Sequence, residues 1–276
     1  MTIRTAIHCV SAALLGLFSL ASQAEATLFR LGVAPHTSAR VIIEMYQPLR
    51  LYLEQVLGQP VAVETAPDFS EFGRRALRQD YDMAVTTSHQ ARIYQTDGNY
   101  LPLITYKSDF KAVALVAKSA HIRRPADLKG SSALGLSPSS LVTLWGLQWL
   151  RANQLGDLPV KYISAADSTA HQVLSGDAGV AFTSLANFQK LPPEQRQALK
   201  VLAESEPMAG RIYMLNKRHA ARWRVIEEAL LRFPDSPGGE KYFVQSQLEG
   251  YRPLRSRELE AMEPYAREIR TMLKSK

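Results

Sequence analysis

The folded part of the chain opens with an alternation that leaves few architectures available. In "TLFRLGVAPHTSARVIIEMYQPLRLYLEQVLGQPVAVETA" a short apolar run, Leu28 to Ala34, gives way to the turn-rich stretch Pro35 to Ser38. From Arg40 to Leu57 apolar residues recur at helical spacing: Ile42, Met45, Tyr46, Leu49, Leu53, Val56 and Leu57. Gly58 and Pro60 end that helix, and Val61 to Glu64 is a second short strand. The order strand, helix, strand is a βαβ unit.

The alternation continues. Phe69 to Gln79 has helical spacing, and "YDMAVTTSH" reads as a strand ending in hydroxyls. "FKAVALVAK" is a strand, "RRPADLKG" a helical turn closed by Gly130, and "SALGL" a further strand. The run "SPSSLVTLWGLQWL" then predicts a helix with Ser137 as N-cap and Pro138 in the first helical position. Val160 to Ile163 and "AGVAFTS" are strands around a helix, Ser168 to Leu174, closed at Gly176; Lys217 to Phe233 and Glu258 to Lys274 are helical. Strands alternating with helices predict an α/β protein with open, mostly parallel sheets. They fall into two clusters, so we expect two lobes: residues 27–105 plus 207–276, and residues 106–206. The chain would cross between them near Thr105 to Ala112 and again near Glu206 to Arg211, leaving a cleft. In open α/β sheets, ligands sit outside the carboxyl ends of the strands.

The N-terminus indicates the compartment. "MTIRTAIHCVSAALLGLFSLASQAEA" has a basic residue, Arg4, an apolar stretch from about Ala6 to Leu20, and small residues at cleavage spacing. This reads as a secretory signal, residues 1–24 with cleavage after 24 or 26, and the lack of a twin-Arg pair favours Sec export. The single cysteine, Cys9, lies inside it, so the mature chain offers no thiol chemistry, disulfide or thiolate metal site. The six histidines lack metal-ligand spacing, and neither a metal nor a cofactor is expected. The net charge of +7 suits an anionic ligand; in a periplasmic location it does not imply nucleic acid.

The residues at the predicted strand ends share a chemistry. The first strand leads to His36 and Thr37, the "MAV" strand to Thr86, Thr87, Ser88 and His89, the "SALGL" strand to Ser137, Ser139 and Ser140, and the "GVAF" strand to Thr183 and Ser184. Hydroxyls beside the free N–H groups of helix starts suit oxyanions. Ser and Thr are also the ordinary caps and turn formers, and each cluster carries that second reading. No Asp or Glu occurs from Ser131 to Gly156, which leaves the helix start after the serines without the acid that usually meets its dipole. His89, His171, Tyr46 and Tyr106 have two readings, lining the cleft or packing inside a lobe. Catalytic signatures are lacking: Gly135-Leu136-Ser137-Pro138-Ser139 misses the second glycine of a nucleophile elbow, and no Walker A, dinucleotide or H-E-x-x-H motif is present.

The order of segments resembles a known family, the PhnD-like periplasmic substrate-binding proteins of phosphonate, phosphite and phosphate ABC importers. "LGVAP" with "YQPLRLYLEQVLGQPV" is similar to the family's strand, loop and "PLxxYLxxxLG" helix. "FSEFGRRALRQDYDMAV", "VAKSAHIRRPADLKGSSALGLSPSS" and "LSGDAGVAF" are similar to its "ALxxGxxDxA", "SLxDLKGKxVAFGxPxS" and "LxGExDAAA" segments. The resemblance implies a type II periplasmic-binding-protein fold, a small anionic ligand, an inner-membrane ABC permease as partner, and a monomer. The family's Ser-Thr-Ser phosphonate cradle falls on Ser140, Leu141 and Val142. Its His-Asp/Glu pair falls on Ala166 and Asp167, and an acidic or Asn position falls on Ser184. The implied function is capture of a phosphonate-, phosphite- or phosphate-like oxyanion by lobe closure, without catalysis. A second reading has the same fold presenting its ligand to a membrane sensor kinase, and a remote third is a serine hydrolase using Ser137 or Ser140.

Overall fold

A computed structural model describes residues 27–163 and 166–274; the predicted signal segment, residues 1–24, lies outside the described residues. In chain order the elements are β1 (Phe29–Val33), α1 (Ala39–Leu57), β2 (Val61–Glu64), α2 (Phe69–Leu77), β3 (Met83–Thr87), α3 (Ser88–Asp97), β4 (Tyr100–Tyr106), β5 (Ala112–Ala117), β6 (Ala133–Gly135), α4 (Leu141–Ala152), β7 (Val160–Tyr162), α5 (Ala166–Leu174), β8 (Val180–Ser184), α6 (Leu185–Gln189), α7 (Pro193–Ala198), β9 (Leu199–Glu204), β10 (Arg211–Asn216), α8 (Trp223–Arg232), α9 (Pro237–Ser246), β11 (Tyr251–Pro253) and α10 (Glu263–Lys274). The strands form two sheets, one ordered β11-β4-β10-β3-β1-β2 and the other β7-β6-β8-β5-β9.

The α/β class and the two strand clusters match the sequence reading, but the sheets are mixed rather than mostly parallel. β1 pairs in parallel with β2 and β3, whereas β10 lies antiparallel between β3 and β4 and β11 antiparallel to β4. In the second sheet β6 is parallel to β7 and β8, while β5 is antiparallel to β8 and β9. The reason lies in the connections. Parallel neighbours need a crossover segment. The chain leaves the first sheet after β4 and returns as β10, which inserts between β3 and β4 in the opposite direction, while in the second sheet the entering strand β5 runs against both β8 and the leaving strand β9. The two passages between the sheets bond to each other: Phe110 and Met208 exchange backbone hydrogen bonds of 2.8 and 2.9 Å.

Local chemistry sets the element ends. Ser38 caps α1 by accepting from the Val41 N–H, and Gly58 ends it in the left-handed region at φ 64°. Buried Ile42, Tyr46, Leu49 and Leu53 form the α1 stripe against the first sheet. Three sequence expectations are corrected. The "YDMAVTTSH" strand stops at Thr87, and Ser88 and His89 open α3. Helix α4 starts at Leu141 with Ser140, not Ser137, as N-cap. The Ser140 N–H bonds the Ser137 carbonyl at 3.0 Å, so Ser137 to Ser140 is a turn with Pro138 in its second position, where a fixed φ is favoured. Lys217 to Phe233 is not one helix: a 3-10 turn, Lys217–Arg222, is broken at His219 (φ −102°, ψ 16°) before α8. There Arg218 and His219 both reach the Asp82 carboxylate.

The tail packs back on the first sheet, α8 and α9 on the α1 side and α10 beside α2 and α3. Helix α10 also touches α4, where Gln148 and Arg151 meet Glu268. Leu144 of α4 belongs to the apolar cluster formed by residues of the first sheet and α10. Helix α4 lies close on its own sheet because residue 146 is glycine: a Cβ there would fall 2.3 Å from the Phe182 ring. This close seat fixes the height of the α4 N-terminus and of the serine turn before it.

Candidate functional site

The carboxyl ends of β1 and β3 and the start of β10 come together, because β10 is antiparallel to β3 and Arg211 stands opposite Thr87 in register. Arg211 retains part of its own surface but lies among packed rings: Tyr46 of α1, Tyr106 of β4, Tyr213 of β10 and Tyr242 of α9 all act on it electrostatically. The phenols are linked through Tyr106, whose hydroxyl lies 3.5 Å from that of Tyr46, 3.1 Å from Tyr213 and 2.6 Å from Tyr242. Burial pushes the phenol pKa values of Tyr46, Tyr213 and Tyr242 up, so these rings stay neutral. Burial opposes the charge on Arg211, a guanidinium stays protonated regardless, and the neutral phenols around it supply no negative charge to offset that cost. Among the described residues no carboxylate pairs with this guanidinium and no acceptor bonds it. A cation so enclosed, with no charged partner, is costly unless water or a ligand completes it.

Two uncharged groups flank Arg211 with open hydrogen-bonding capacity. Thr87 occupies the N-cap position of α3, but its side chain does not cap, and its Oγ1 is buried without a partner. His36 follows β1; its Nδ1 lies 2.9 Å from the Ala34 carbonyl, while Nε2 is buried and unpartnered. A carbonyl only accepts, so Nδ1 carries the proton and Nε2 presents a lone pair. Burial, and secondarily the nearby Arg211, pulls the His36 pKa down to about 3, which keeps the ring neutral. Helices α3, α4 and α6 all begin without an acid in the first turn.

The other sequence-predicted residues are placed as follows. Thr86 is fully buried and donates to Gln90 at 2.9 Å. Ser88 is buried with Oγ 3.2 Å from the Met262 sulfur. Thr37 is exposed in the loop before α1. In the serine turn the Ser137 and Ser139 hydroxyls are 3.4 Å apart, and Ser140 donates to Thr143 Oγ1 at 2.8 Å while its oxygen caps α4. Ser184 caps α6 through the Asn187 N–H at 3.1 Å. Asp167 lies in α5, and its side chain is outside the described residues. His171 is exposed on α5, whereas Tyr46 and Tyr106 belong to the tyrosine cluster. His89 is buried and donates from Nε2 to the Ser139 carbonyl at 3.0 Å, joining α3 to the serine turn, so it orients no serine hydroxyl. Among the described residues no group of three or more His, Cys, Asp or Glu could hold a metal.

Arg211 escaped the sequence reading, which looked only at the carboxyl ends of presumed parallel strands. The usable signal was a lone cation heading the buried run Ile212 to Leu215 beside a predicted crossing point.

Two mixed sheets flanked by helices and joined by two paired passages, with cationic and hydroxyl groups gathered at the strand ends, define a type II periplasmic-binding-protein fold. The chain belongs to the family described as "ABC transporter, phosphonate, periplasmic substrate-binding protein", which it matches over residues 31–259. No curated protein matches it. Similar solved structures include XAC2383 from Xanthomonas citri bound to ATP, at 17% identity over 88% of this chain and 98% of that one, TM-score 0.78. PhnD1 from Prochlorococcus marinus in complex with methylphosphonate has 13% identity over 88% and 98%, TM-score 0.72. The periplasmic aliphatic sulphonate-binding protein SsuA from Escherichia coli has 14% identity over 90% and 94%, TM-score 0.62. At these identities the likeness is one of fold.

Proposed function

We propose that this chain captures a small oxyanion in the periplasm and delivers it to an inner-membrane ABC permease, acting as a monomer and without chemistry. The observation that carries the reading is Arg211, a charged guanidinium with no anionic partner among the described residues, set where β3 and β10 meet. Its forked donors match a tetrahedral oxyanion. Thr87 would add a hydroxyl and the start of α3 its N–H groups. Residues 27–105 plus 207–276 would act as one lobe and residues 106–206 as the other, hinging at the paired passages around Phe110 and Met208. In the closed form, where His89 of α3 bonds the Ser139 carbonyl, the Ser137 to Ser140 turn and the start of α4 would face the anion from the opposite side. A ligand that contacts both lobes stabilises the closed form by its differential affinity. Solved neighbours of the fold carry ATP and methylphosphonate, both phosphorus oxyanions.

A thermal-shift screen over phosphate, phosphite, alkylphosphonates, sulfate, alkylsulfonates and small carboxylates tests this, since binding to the native state raises its melting temperature. The expected result is a rise with at least one tetrahedral oxyanion that disappears in Arg211→Met. No rise with any anion overturns the reading.

A further inference from the structure

The C-terminal helix is fixed to one sheet unit and reaches the other. Glu263, at the start of α10, accepts from Arg92 of α3 at 2.8 Å and from Arg270 at 2.7 Å, and Arg270 also pairs with Asp97 at 3.3 Å. Ala266, Ile269 and Leu273 of α10 lie in the same apolar cluster as Phe72 and Tyr94 of the first unit. On α4, which packs against the second sheet, Gln148 and Arg151 both donate to Glu268. Apolar side chains cross in both directions. Leu144 of α4, 2% exposed, lies in the cluster of the first unit. Met262, just before α10 and 4% exposed, lies in the cluster of the second unit with Leu141, Val142 and Trp145, and Tyr265 packs against both clusters. Rotating one unit away from the other uncovers these apolar groups to water, which is unfavourable. The surface ion pair at Glu268 contributes less than the apolar exchange that it flanks.

We propose that this exchange, held in place by α10, is a brace that keeps the two lobes closed before any ligand arrives, so that Leu144 and Glu268 set binding rate and affinity from outside the anion site. This rests on the two-lobe oxyanion reading and deepens it. The ligand enters only when the lobes part. A brace that favours closure therefore slows entry, because the open form is a small fraction of the protein. It also tightens the final complex, because the ligand has no closing equilibrium left to drive. Weakening the brace moves the two quantities in opposite directions: association becomes faster while affinity falls. A variant that is merely less stable shows no faster association.

The test is small-angle X-ray scattering from the purified protein, refolded from denaturant to strip any carried ligand, followed by stopped-flow mixing with methylphosphonate read by tryptophan fluorescence. The expected result is a ligand-free wild-type protein with the radius of gyration of the closed structure, unchanged by saturating methylphosphonate. Leu144→Ala, and Glu268→Arg with its like charge beside Arg151, each raise the ligand-free radius. Leu144→Ala also speeds association and weakens affinity, each by about tenfold. A ligand-free wild-type protein that is expanded, and contracts on binding, overturns this inference and leaves the oxyanion reading standing. A compact wild-type protein whose radius neither variant raises overturns the assignment to the brace. If neither methylphosphonate nor any other oxyanion binds, the oxyanion reading fails, and the ligand-free radii still decide whether the brace holds. If Leu144→Ala does not fold, Glu268→Arg, altered at an exposed residue, decides.

Discussion

His89 and Ser139 tie the two sheet units together: Nε2 of the imidazole donates to the Ser139 carbonyl oxygen at 3.0 Å, between residues 50 positions apart. Both partners are buried. The bond holds the serine turn against the start of α3, so the two acid-free helix starts share one contact. Nδ1 on the other side of the ring is buried and unpartnered, which makes protonation there unfavourable.

That bond makes stability depend on pH with a definite sign. Burial lowers the His89 pKa from 6.5 to about 4, and the Ser139 hydrogen bond recovers only part of the shift. The unfolded chain therefore binds more protons between those values. Stability falls as pH drops from about 6.5 to about 4 and levels off below, by about 3 kcal/mol at most for this group. His36, held at about 3, adds a loss that extends lower. Denaturant unfolding at pH 7 and 4.5 should show the decrease, and His89→Gln should flatten it in part. An unchanged pH slope in that variant would show that His89 is not the titrating group.

The seat of α4 predicts a glycine that stability cannot spare. In a helix interior, exchanging glycine for alanine ordinarily gains about 0.5–1 kcal/mol. At Gly146 the added Cβ meets the Phe182 ring at 2.3 Å, inside a cluster that also contains Trp145. Overpacking of this kind costs about 1–3 kcal/mol, so Gly146→Ala should lower unfolding stability despite its better helix propensity. Equilibrium urea unfolding measures it, and a stabilised variant would mean that α4 has room to lift off the sheet.

The sequence made the scaffold more legible than the site, and one physical reason accounts for most of the difference. Apolar periodicity revealed β1, α1 and β2 within a residue or so, because each is set by local spacing and by caps such as Ser38 and Gly58. His36 and Thr87 could be named as candidates from the sequence because they lie at or just past the carboxyl ends of β1 and β3, which run parallel, where clefts form. Arg211 begins a strand. It reaches the same edge only because β10 runs antiparallel to β3, a pairing made by residues far apart in sequence that no local pattern encodes. The serine turn was misread by three residues for a smaller reason. Ser137 and Ser140 are both good caps, and the hydrogen bond between their backbones, not side-chain type, decides which one starts α4.

Arg211 should separate binding from stability. An isolated cation among neutral phenols opposes folding, so Arg211→Met, similar in length and apolar, should leave the ligand-free melting temperature unchanged or raise it. The same substitution removes charge-assisted hydrogen bonds contributing about 1.5–3 kcal/mol each, and two of them amount to roughly a hundredfold or more in affinity for an oxyanion. Melting curves and calorimetry on one preparation read both quantities. A variant that melts much lower would assign Arg211 to the architecture of the tyrosine cluster instead.

Thr87 and Ser140, two hydroxyls at helix N-caps, should behave in opposite ways. The Ser140 hydroxyl is occupied, accepting from the Thr143 N–H and donating to Thr143 Oγ1 at 2.8 Å. Thr143 in turn accepts from the Leu136 N–H at 2.9 Å, so the serine anchors both α4 and the strand end before it. Ser140→Ala should cost about 1 kcal/mol of stability, the usual value of an N-cap. Thr87 Oγ1 is buried with no partner, and valine has nearly its shape. Thr87→Val removes an unsatisfied polar atom, so the ligand-free protein should hold its stability or gain up to about 1 kcal/mol. If that oxygen waits for the anion, oxyanion affinity should fall about fivefold to tenfold in the same variant, the worth of one hydrogen bond near 1 kcal/mol. Thermal melts with and without saturating methylphosphonate distinguish the two: Ser140→Ala lowers both curves together, whereas Thr87→Val lowers only the ligand-induced rise. A Thr87→Val protein with the full rise would remove Thr87 from the site.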